Sequence, residues 1–229
     1  MANLFFRTSI APYRIDIYNA LHERLGCEMY FYYSFDSSQK LNEEGMRRMC
    51  HFTPTYLKGI TFGEGETRKF CTEVWKILRR HKPEIVIVPE FQLLTIQVIL
   101  YKFLFRKQFK VISMCDDSYD MVSNDHDFSF IHKYARKLIA PLVDNLLLVD
   151  SRVRDWYQKH YHKGVWLPIV RDEKKEKVHY ENALTISRDY IKKYNLQGKK
   201  VLLFVGRFVK EKNLDNFIQA IGKTKEDFV

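Results

Sequence analysis

A glycine, two basic residues and an asparagine follow an apolar run near the end of the chain. The run VLLFV at 201–205 precedes Gly206 and Arg207, and Lys212 and Asn213 open a segment with apolar residues at helical spacing. The N-terminus of such a helix favours an anion, because its backbone N–H groups are free and the positive end of its dipole lies there. Gly206 permits close backbone approach, and Arg207 and Lys212 add positive charge. These residues predict a phosphate site; the alternative interpretation is a solvated, charged turn.

The elements that would position this site are those of a parallel α/β sheet. Continuous apolar runs occur at 3–6, 28–33, 85–88, 111–114, 145–149 and 201–205. Between several of them the apolar period becomes helical, as at Ile17, Leu21 and Leu25, and at Phe70, Val74 and Leu78. This alternation is typical of a parallel sheet with helices on both faces. Ligands of such sheets bind beyond the carboxyl ends of the strands, so we expect functional residues directly after the strands.

Polar residues follow several of the predicted strands and are the other candidates for a functional cleft. They are Pro12, Tyr13, Arg14, Glu90, Asp116 and Asp117. Arg14 also suits the exposed first turn of a helix, and Asp117 and Ser118 also suit a cap on the next helix or turn. Adjacent carboxylates rarely point at one ion, and the histidines lack zinc-like spacing, so the sequence predicts no metal site.

Composition limits the class of protein. The 229 residues are 46% hydrophobic and 15% aromatic, which is enough for one large or two modest domains. No apolar run approaches the roughly 18 residues of a membrane span, no secretory signal opens the chain, and the four cysteines lack disulfide-scaffold spacing, so we expect a cytoplasmic protein. The net charge of +10 indicates an anionic partner, either a phosphorylated substrate, a phospholipid surface or nucleic acid. Nucleic acid is not expected, because no RNA- or DNA-binding motif is recognisable.

A highly charged segment divides the sequence. Residues 171–200 contain no strand-like run, and their pattern predicts a helix near 181–194 that ends at Gly198. The predicted organisation is a Rossmann-like domain at 1–170, a charged connection with a helix at 171–198, and the start of another domain at 199–229.

The motif V-G-R-x-x-x-E-K-N-L at 205–214, followed by an amphipathic helix, resembles glycosyltransferase family 4. The segments Ser9–Leu21, Lys82–Glu90 and Leu147–Val153 resemble other parts of that family, so the resemblance spans most of the chain. It implies a GT-B fold, with an N-terminal acceptor domain and the start of a nucleotide-sugar domain. The implied activity is retaining transfer of a hexosyl group from a UDP- or GDP-sugar to a saccharide or a lipid-linked glycan, without a metal or other cofactor.

The resemblance also assigns roles to the candidate residues. Arg207 and Lys212 would contact the donor diphosphate and stabilise the charge that builds on the departing phosphate, with Gly206 and Asn213 in the same site. Asp117 would act on the acceptor hydroxyl as a catalytic residue. The remaining acceptor-side candidates are Pro12, Tyr13, Arg14, Glu90 and Asp116. The loop at 12–14 lacks the glycines found in part of the family.

The end of the sequence carries a further expectation. The family's E-x7-E segment has no counterpart before Val229, and the predicted strand at 201–205 would lack parallel neighbours. We therefore expect a truncated glycosyltransferase that is inactive alone or is completed by a separate chain. The alternative is a non-catalytic module that binds a carbohydrate or an anionic lipid.

A basic aromatic stretch at 101–110 predicts a second kind of contact. Its lysines and arginines alternate with aromatic residues, a composition that suits peripheral binding to an anionic membrane and a lipid-linked acceptor. The alternative is that the aromatic rings pack on the sheet and the long basic side chains cover them.

Overall fold

The computed structural model describes residues 2–33, 43–62, 68–124, 130–206, 208, 210–224 and 228. The chain divides into two compact units, Met1–Arg171 and Asp172–Val229. No helix in the described ranges is long and apolar enough to span a bilayer.

The first unit alternates strands and helices. Its strands are β1 (Asn3–Arg7), β2 (Cys27–Phe31), β3 (Thr55–Tyr56), β4 (Gly59–Phe62), β5 (Arg68–Cys71), β6 (Ile85–Pro89), β7 (Lys110–Cys115), β8 (Asn145–Leu148) and β9 (Val165–Trp166). Its helices are α1 (Ile15–Leu25), α2 (Glu43–Met49), α3 (Val74–His81), α4 (Leu93–Leu104), α5 (Tyr119–Ser123), α6 (Phe130–Ile139) and α7 (Ser151–Tyr161), with a 3-10 turn at Pro12–Arg14.

Seven of these strands form one parallel sheet in the order β3-β2-β1-β6-β7-β8-β9. The chain builds outward from β1 through β2 to β3, and then returns to the other side of β1 to add β6 to β9. The predicted parallel α/β sheet is therefore confirmed. The junction between β1 and β6 is the topological switch point, where open parallel sheets usually leave a crevice at the carboxyl ends of the strands.

The sheet is buried on both faces because its central strands are continuously apolar. Successive side chains of a strand point to opposite faces, so Phe5 and Ile87 join one core cluster while Leu4 and Val86 join the other. Helices α1 and α2 contribute to the first cluster, whereas α3, α4, α6 and α7 contribute to the second. This layering leaves the carboxyl ends of the strands for polar residues.

The helix predicted to include Phe70 begins later than expected. Phe70 lies in β5, which pairs antiparallel with β4 in a separate two-stranded sheet, and α3 begins at Val74. The apolar spacing of Phe70, Val74 and Leu78 was misleading, because Phe70 is 47% exposed while Val74 and Leu78 are buried. Helical spacing alone therefore did not separate the hairpin from the helix.

The second unit contains α8 (Glu173–Lys193) and α9 (Leu214–Gly222), with a 3-10 turn at Lys210–Lys212. The strand predicted at 201–205 is wrong for this structure, since those residues form no ladder. An isolated bridge between Lys200 and Phe228 is the pairing that the described residues of this unit show. A strand requires a partner ladder, so apolar sequence alone is insufficient to form one.

Candidate functional site

Charged residues meet where β1, β6 and β7 end. Arg7 closes β1, Glu90 follows β6, and Asp116 and Asp117 follow β7, while Arg14 comes from the 3-10 turn after β1. We call these five residues the edge cluster. They lie at the topological switch point of the sheet, in the position predicted from the order of strands and helices.

Asp116 joins two arginines from different segments. Its Oδ2 accepts a hydrogen bond from Nη2 of Arg7 at 2.6 Å, and its Oδ1 accepts one from Nη2 of Arg14. Arg7 also donates from Nη1 to the main-chain oxygen of Met114 at 2.7 Å. Burial opposes the charge of Arg7, but Asp116 and its neighbours outweigh that effect and raise the pKa of Arg7. These charge-assisted bonds fix the Asp116 carboxylate in one orientation.

The turn after β1 buries Arg14 instead of exposing it. The backbone N–H of Arg14 donates to Ala11 at 2.9 Å, and the guanidinium then points inward, where its Nη1 lies 3.4 Å from Sδ of Met114. Arg14 is only 3% exposed, and within the described part of the chain its Nε has no hydrogen-bond partner. The sequence alternative of an exposed first-turn arginine is therefore wrong. Of the other predicted residues in the turn, Tyr13 is half exposed and Pro12 occupies the first position of the turn.

Glu90 connects the ends of β6 and β7. Its Oε1 accepts from the backbone N–H of Asp116 at 3.0 Å and from the thiol of Cys115 at 3.3 Å. Burial, and next the charge of Asp117, raise the pKa of Glu90 above its ordinary value. A carboxyl group with a raised pKa holds its proton more readily, and once ionised it is a stronger base.

Asp117 lies behind Asp116 in a buried polar network. Its Oδ2 accepts from the hydroxyl of Tyr157 at 2.5 Å and lies 3.6 Å from Nη1 of Arg136, and its Oδ1 lies 3.7 Å from Nε2 of His132. The Asp117 side chain has no solvent exposure. Burial and the nearby acidic groups raise the pKa of Tyr157, so its hydroxyl remains a donor.

Burial changes the role that fits Asp117. A group arriving from solvent can reach Asp116, whose side chain is 36% exposed, but in this arrangement it cannot reach Asp117. The resemblance placed the catalytic role on Asp117, whereas Asp116 and Glu90 are the carboxylates of the edge cluster that keep some solvent exposure. The helix-cap alternative is confirmed for Ser118, which caps α5 by accepting from the N–H of Met121, but not for Asp117.

Three side chains of this region have atoms that a metal ion could use. One ligand atom each from Glu90, Cys115 and Asp117 lies within 4.8 Å of the other two. However, Cys115 donates its thiol proton to Glu90, and burial raises the pKa of that thiol well above its ordinary value. Buried Arg136 already supplies a positive charge to Asp117. The contacts are therefore those of an internal hydrogen-bonded network.

The residues of the predicted phosphate site belong to the second unit. Gly206 and Lys212 are exposed, and Asn213 has a left-handed backbone (φ 53°) immediately before α9. Its Oδ1 accepts from Nδ2 of Asn216 at 2.7 Å. Arg207 lies outside the described residues. Lys212 and Asn213 thus precede the N-terminus of a helix, as the sequence predicted.

Three residues of the first unit escaped sequence reasoning. Arg7 is the last residue of an apolar strand, and an arginine in that position is normally interpreted as solvent-exposed. Arg136 and Tyr157 lie within amphipathic helices, where a basic or aromatic residue carries no special signal. A weak signal did exist at Arg7. This residue directly follows the apolar run at 3–6, and positions directly after predicted strands were the ones that selected Glu90 and Asp116.

Comparisons with known proteins relate this architecture to solved structures. No protein-family model matches the sequence, and no curated protein matches it either. The chain is similar in structure to UDP-N-acetylglucosamine 2-epimerase from Rickettsia bellii (TM-score 0.53, 10% identity, covering 100% of this chain and 61% of that one). It is also similar to UDP-GlcNAc 2-epimerase from Neisseria meningitidis bound to UDP-GlcNAc (TM-score 0.54, 12% identity, covering 99% of this chain and 64% of that one). A glycosyltransferase from Rickettsia africae ESF-5 is a third similar structure (TM-score 0.53, 12% identity, covering 99% of this chain and 59% of that one).

This chain thus spans about three fifths of the length of these proteins. Identities this low establish the fold alone. With the seven-stranded parallel sheet, the likenesses show that the chain has an α/β fold of the GT-B type, with a Rossmann-like first unit.

Proposed function

We propose that this chain is part of a glycosyltransferase that moves a hexosyl group from a UDP- or GDP-sugar to a saccharide or a lipid-linked glycan. The observation that carries the proposal is the edge cluster at the switch point of a fold shared with enzymes that are named for UDP-sugars. Charged groups converge there at the place where such sheets bind ligands. The resemblance at 205–214 selects glycosyl transfer among the activities of the fold.

In the proposed reaction, Asp116 and Glu90 act on the acceptor. The acceptor oxygen forms a bond to the anomeric carbon of the donor sugar, the bond from that carbon to the diphosphate breaks, and the acceptor hydroxyl loses its proton. Asp116, fixed by Arg7 and Arg14, accepts a hydrogen bond from the hydroxyl and orients it. Glu90 takes the proton, because its raised pKa makes its carboxylate the stronger base. Asp117 is a positioning residue that anchors the turn after β7.

On the donor side, we propose that Arg207 and Lys212 bind the diphosphate beside Gly206 and Asn213. Negative charge grows on the departing phosphate as the sugar gains oxocarbenium character. Fixed cations and free N–H groups at the start of α9 stabilise that charge without reorganising solvent. This chemistry uses no metal ion, since the two side chains and the helix end supply the positive potential.

The test is a nucleotide-release assay. The chain is incubated with UDP- and GDP-hexoses and saccharide acceptors, and released UDP or GDP is measured. Removing a general base typically costs about 10²- to 10⁴-fold in rate, so Glu90→Gln is expected to lose at least about 100-fold. Asp155→Asn is a matched control, because Asp155 is exposed on α7 and away from the edge cluster. Release by the wild-type chain would overturn the sequence expectation that the chain is inactive alone. Equal rates for wild-type chain and Glu90→Gln would refute the role assigned to Glu90, and no release with any donor would refute transfer by the chain without a completing partner.

The carboxylates also support a second candidate, an epimerase that acts on a UDP-sugar. One route to epimerisation removes a proton from a sugar carbon and returns one to the opposite face, which needs acid–base groups that titrate close to the working pH. The raised pKa of Glu90 fits that need, and the carboxylate of Asp116 adjoins it. Incubation with UDP-N-acetylglucosamine in D₂O separates the two candidates: an epimerase of this kind incorporates deuterium into recovered sugar nucleotide, whereas a transferase does not.

A further inference from the structure

Helix α4 is apolar on its outward face as well as its inward face. Its buried side chains include Leu94 and Val98 at 0% exposure. The outward stripe consists of Ile96 (37% exposed), Leu100 (46%), Phe103 (59%) and Leu104 (65%). These four positions are spaced i, i+4, i+7 and i+8, so they share one side of the helix. A surface helix normally carries polar residues there.

Helix α6 repeats this arrangement. Its exposed stripe consists of Phe130 (73% exposed), Ile131 (60%), Tyr134 (48%) and Leu138 (68%). Both helices lie in crossovers between neighbouring parallel strands, and such crossovers have the same hand and place their helices on the same face of the sheet. The inward residues Leu94 and Ile139 accordingly belong to one core cluster. One helical layer therefore presents two apolar stripes outward; we call them together the outer apolar face.

Exposed aromatic residues border this face. Trp75 on α3 is 38% exposed, its ring packs against Tyr101 and Phe105, and its Nε1 donates to the main-chain oxygen of Gln97 at 3.0 Å. Phe105, just after α4, is 50% exposed. Soluble monomers seldom expose apolar area on this scale without a partner for it.

The charged residues on the helices of the outer apolar face are all basic. Helices α3, α4 and α6 and residues 105–110 contain no acidic residue. The basic side chains exposed there include Arg79, Arg106, Lys107 and Lys137. Lys102 and Lys110 are nearby, and both pair with Asp144. Any partner therefore has to accept apolar side chains in the middle and positive charge at the rim.

We propose that the outer apolar face binds an anionic lipid bilayer. Aromatic and aliphatic side chains enter the boundary between headgroups and acyl chains, while the rim of arginines and lysines contacts lipid phosphates. A second copy of this chain fits less well, because a twofold interface would bring the two basic rims together. The inference is independent of the proposed sugar transfer, since the face lies on helices and not at the edge cluster.

Vesicle co-sedimentation tests the proposal. The chain is mixed with vesicles of phosphatidylglycerol and phosphatidylcholine, or of phosphatidylcholine alone, and the bound fraction is measured at low and high salt. Each surface cation is worth about fivefold in binding to an anionic membrane, so the double variant Arg106→Gln, Lys107→Gln is expected to bind about 25-fold more weakly. The double variant Phe103→Ser, Leu104→Ser is expected to lose binding at either salt concentration, because it removes the inserted side chains.

Matched controls come from exposed residues elsewhere. Lys159→Gln with Lys174→Gln removes the same charge, and Tyr180→Ser on α8 removes an exposed apolar side chain of 65% exposure. Both controls should bind like the wild-type chain. Failure to bind phosphatidylglycerol vesicles, equal binding to phosphatidylcholine alone, or unchanged binding by the two test variants would overturn the proposal. If the wild-type chain instead dimerises in sedimentation equilibrium and Phe103→Ser, Leu104→Ser makes it monomeric, the face joins two copies and the membrane proposal is wrong.

Discussion

Replacing Tyr157 by phenylalanine tests whether the buried network holds the turn after β7. The Tyr157 hydroxyl donates to Asp117 at 2.5 Å, and both residues are buried. A hydrogen bond to a charged group contributes about 1.5–3 kcal/mol, and the phenyl ring fills the same space, so Tyr157→Phe should destabilise the first unit by about 2 kcal/mol. Asp117→Asn should cost about 3 kcal/mol, because it also removes the charge opposite buried Arg136.

The double variant measures how strongly the two residues are coupled. Once residue 117 is neutral, the lost hydroxyl is an ordinary donor worth about 1 kcal/mol. Tyr157→Phe with Asp117→Asn should therefore cost about 4 kcal/mol, about 1 kcal/mol less than the sum of the single changes. That difference is the interaction energy assigned to the network.

Tryptophan fluorescence in urea is a suitable assay. All three tryptophans, Trp75, Trp156 and Trp166, lie in the first unit, so their emission follows its unfolding. Tyr18→Phe is the matched control, since Tyr18 is fully buried and its hydroxyl has no hydrogen-bond partner in the described part of the chain. It should be neutral or slightly stabilising. Additivity of Tyr157→Phe and Asp117→Asn within about 0.3–0.5 kcal/mol, or an equal loss in Tyr18→Phe, would refute the reasoning.

Further expectations concern pH, backbone packing and a half-buried amine. The raised pKa of Glu90 means that the folded chain binds this proton more tightly than the unfolded chain, so stability falls as pH rises from about 4.3 through the raised value. Glu90→Gln should remove that fall. An equal decrease of the urea-unfolding free energy with pH in both proteins would contradict this expectation. In Gly59→Ala the new Cβ would clash with the main-chain oxygen of Phe70, which should cost about 1–3 kcal/mol in thermal unfolding; an unchanged midpoint would show that the hairpin relaxes freely. Lys163→Met removes an ammonium that donates at 2.6 Å to two carbonyls of the 141–143 segment and should cost about 1–3 kcal/mol by urea unfolding, with Lys159→Met as an exposed control that should cost nothing.

Much of the sheet could be predicted from the sequence, because burial on both faces leaves continuous apolar runs. The runs at 3–6, 85–88 and 111–114 fall within strands of the parallel sheet, and those at 28–33 and 145–149 overlap β2 and β8 but extend one or two residues past them. The two-residue edge strands β3 and β9 could not be predicted, since two residues carry no period. The run at 201–205 has the composition of a strand but no ladder, because pairing depends on partners that composition does not specify.

The candidate site was predicted in its location more than in its contacts. The expectation that functional residues directly follow the strands selected Glu90, Asp116 and Asp117. The structure brings these residues together beside the switch point, after the ends of β6 and β7. Which carboxylate faces solvent could not be read from sequence, because it depends on how the turn after β7 is anchored by Tyr157. Long-range pairing such as that between Arg7 and Asp116 also leaves no local pattern.

The basic aromatic stretch divides between buried and exposed rings. Tyr101 and Phe109 pack inward, as the packing alternative required, whereas Phe103 and Phe105 are exposed. Membrane binding by the exposed rings stays a prediction. The helical period explains the division, because neighbouring residues of one helix point in different directions. Sequence composition could not assign each ring to a side without the position of the sheet.

The central claim is that this chain binds a nucleoside diphosphate through the segment at 206–213. Calorimetric titration with UDP and GDP tests this claim most directly. A charge-assisted hydrogen bond is worth about 1.5–3 kcal/mol, so Arg207→Ala and Lys212→Ala should each weaken binding by about 10- to 100-fold. Lys223→Ala, at the opposite end of α9, should bind like the wild-type chain. Absence of binding by both nucleotides, or equal affinity in all four proteins, would contradict the account.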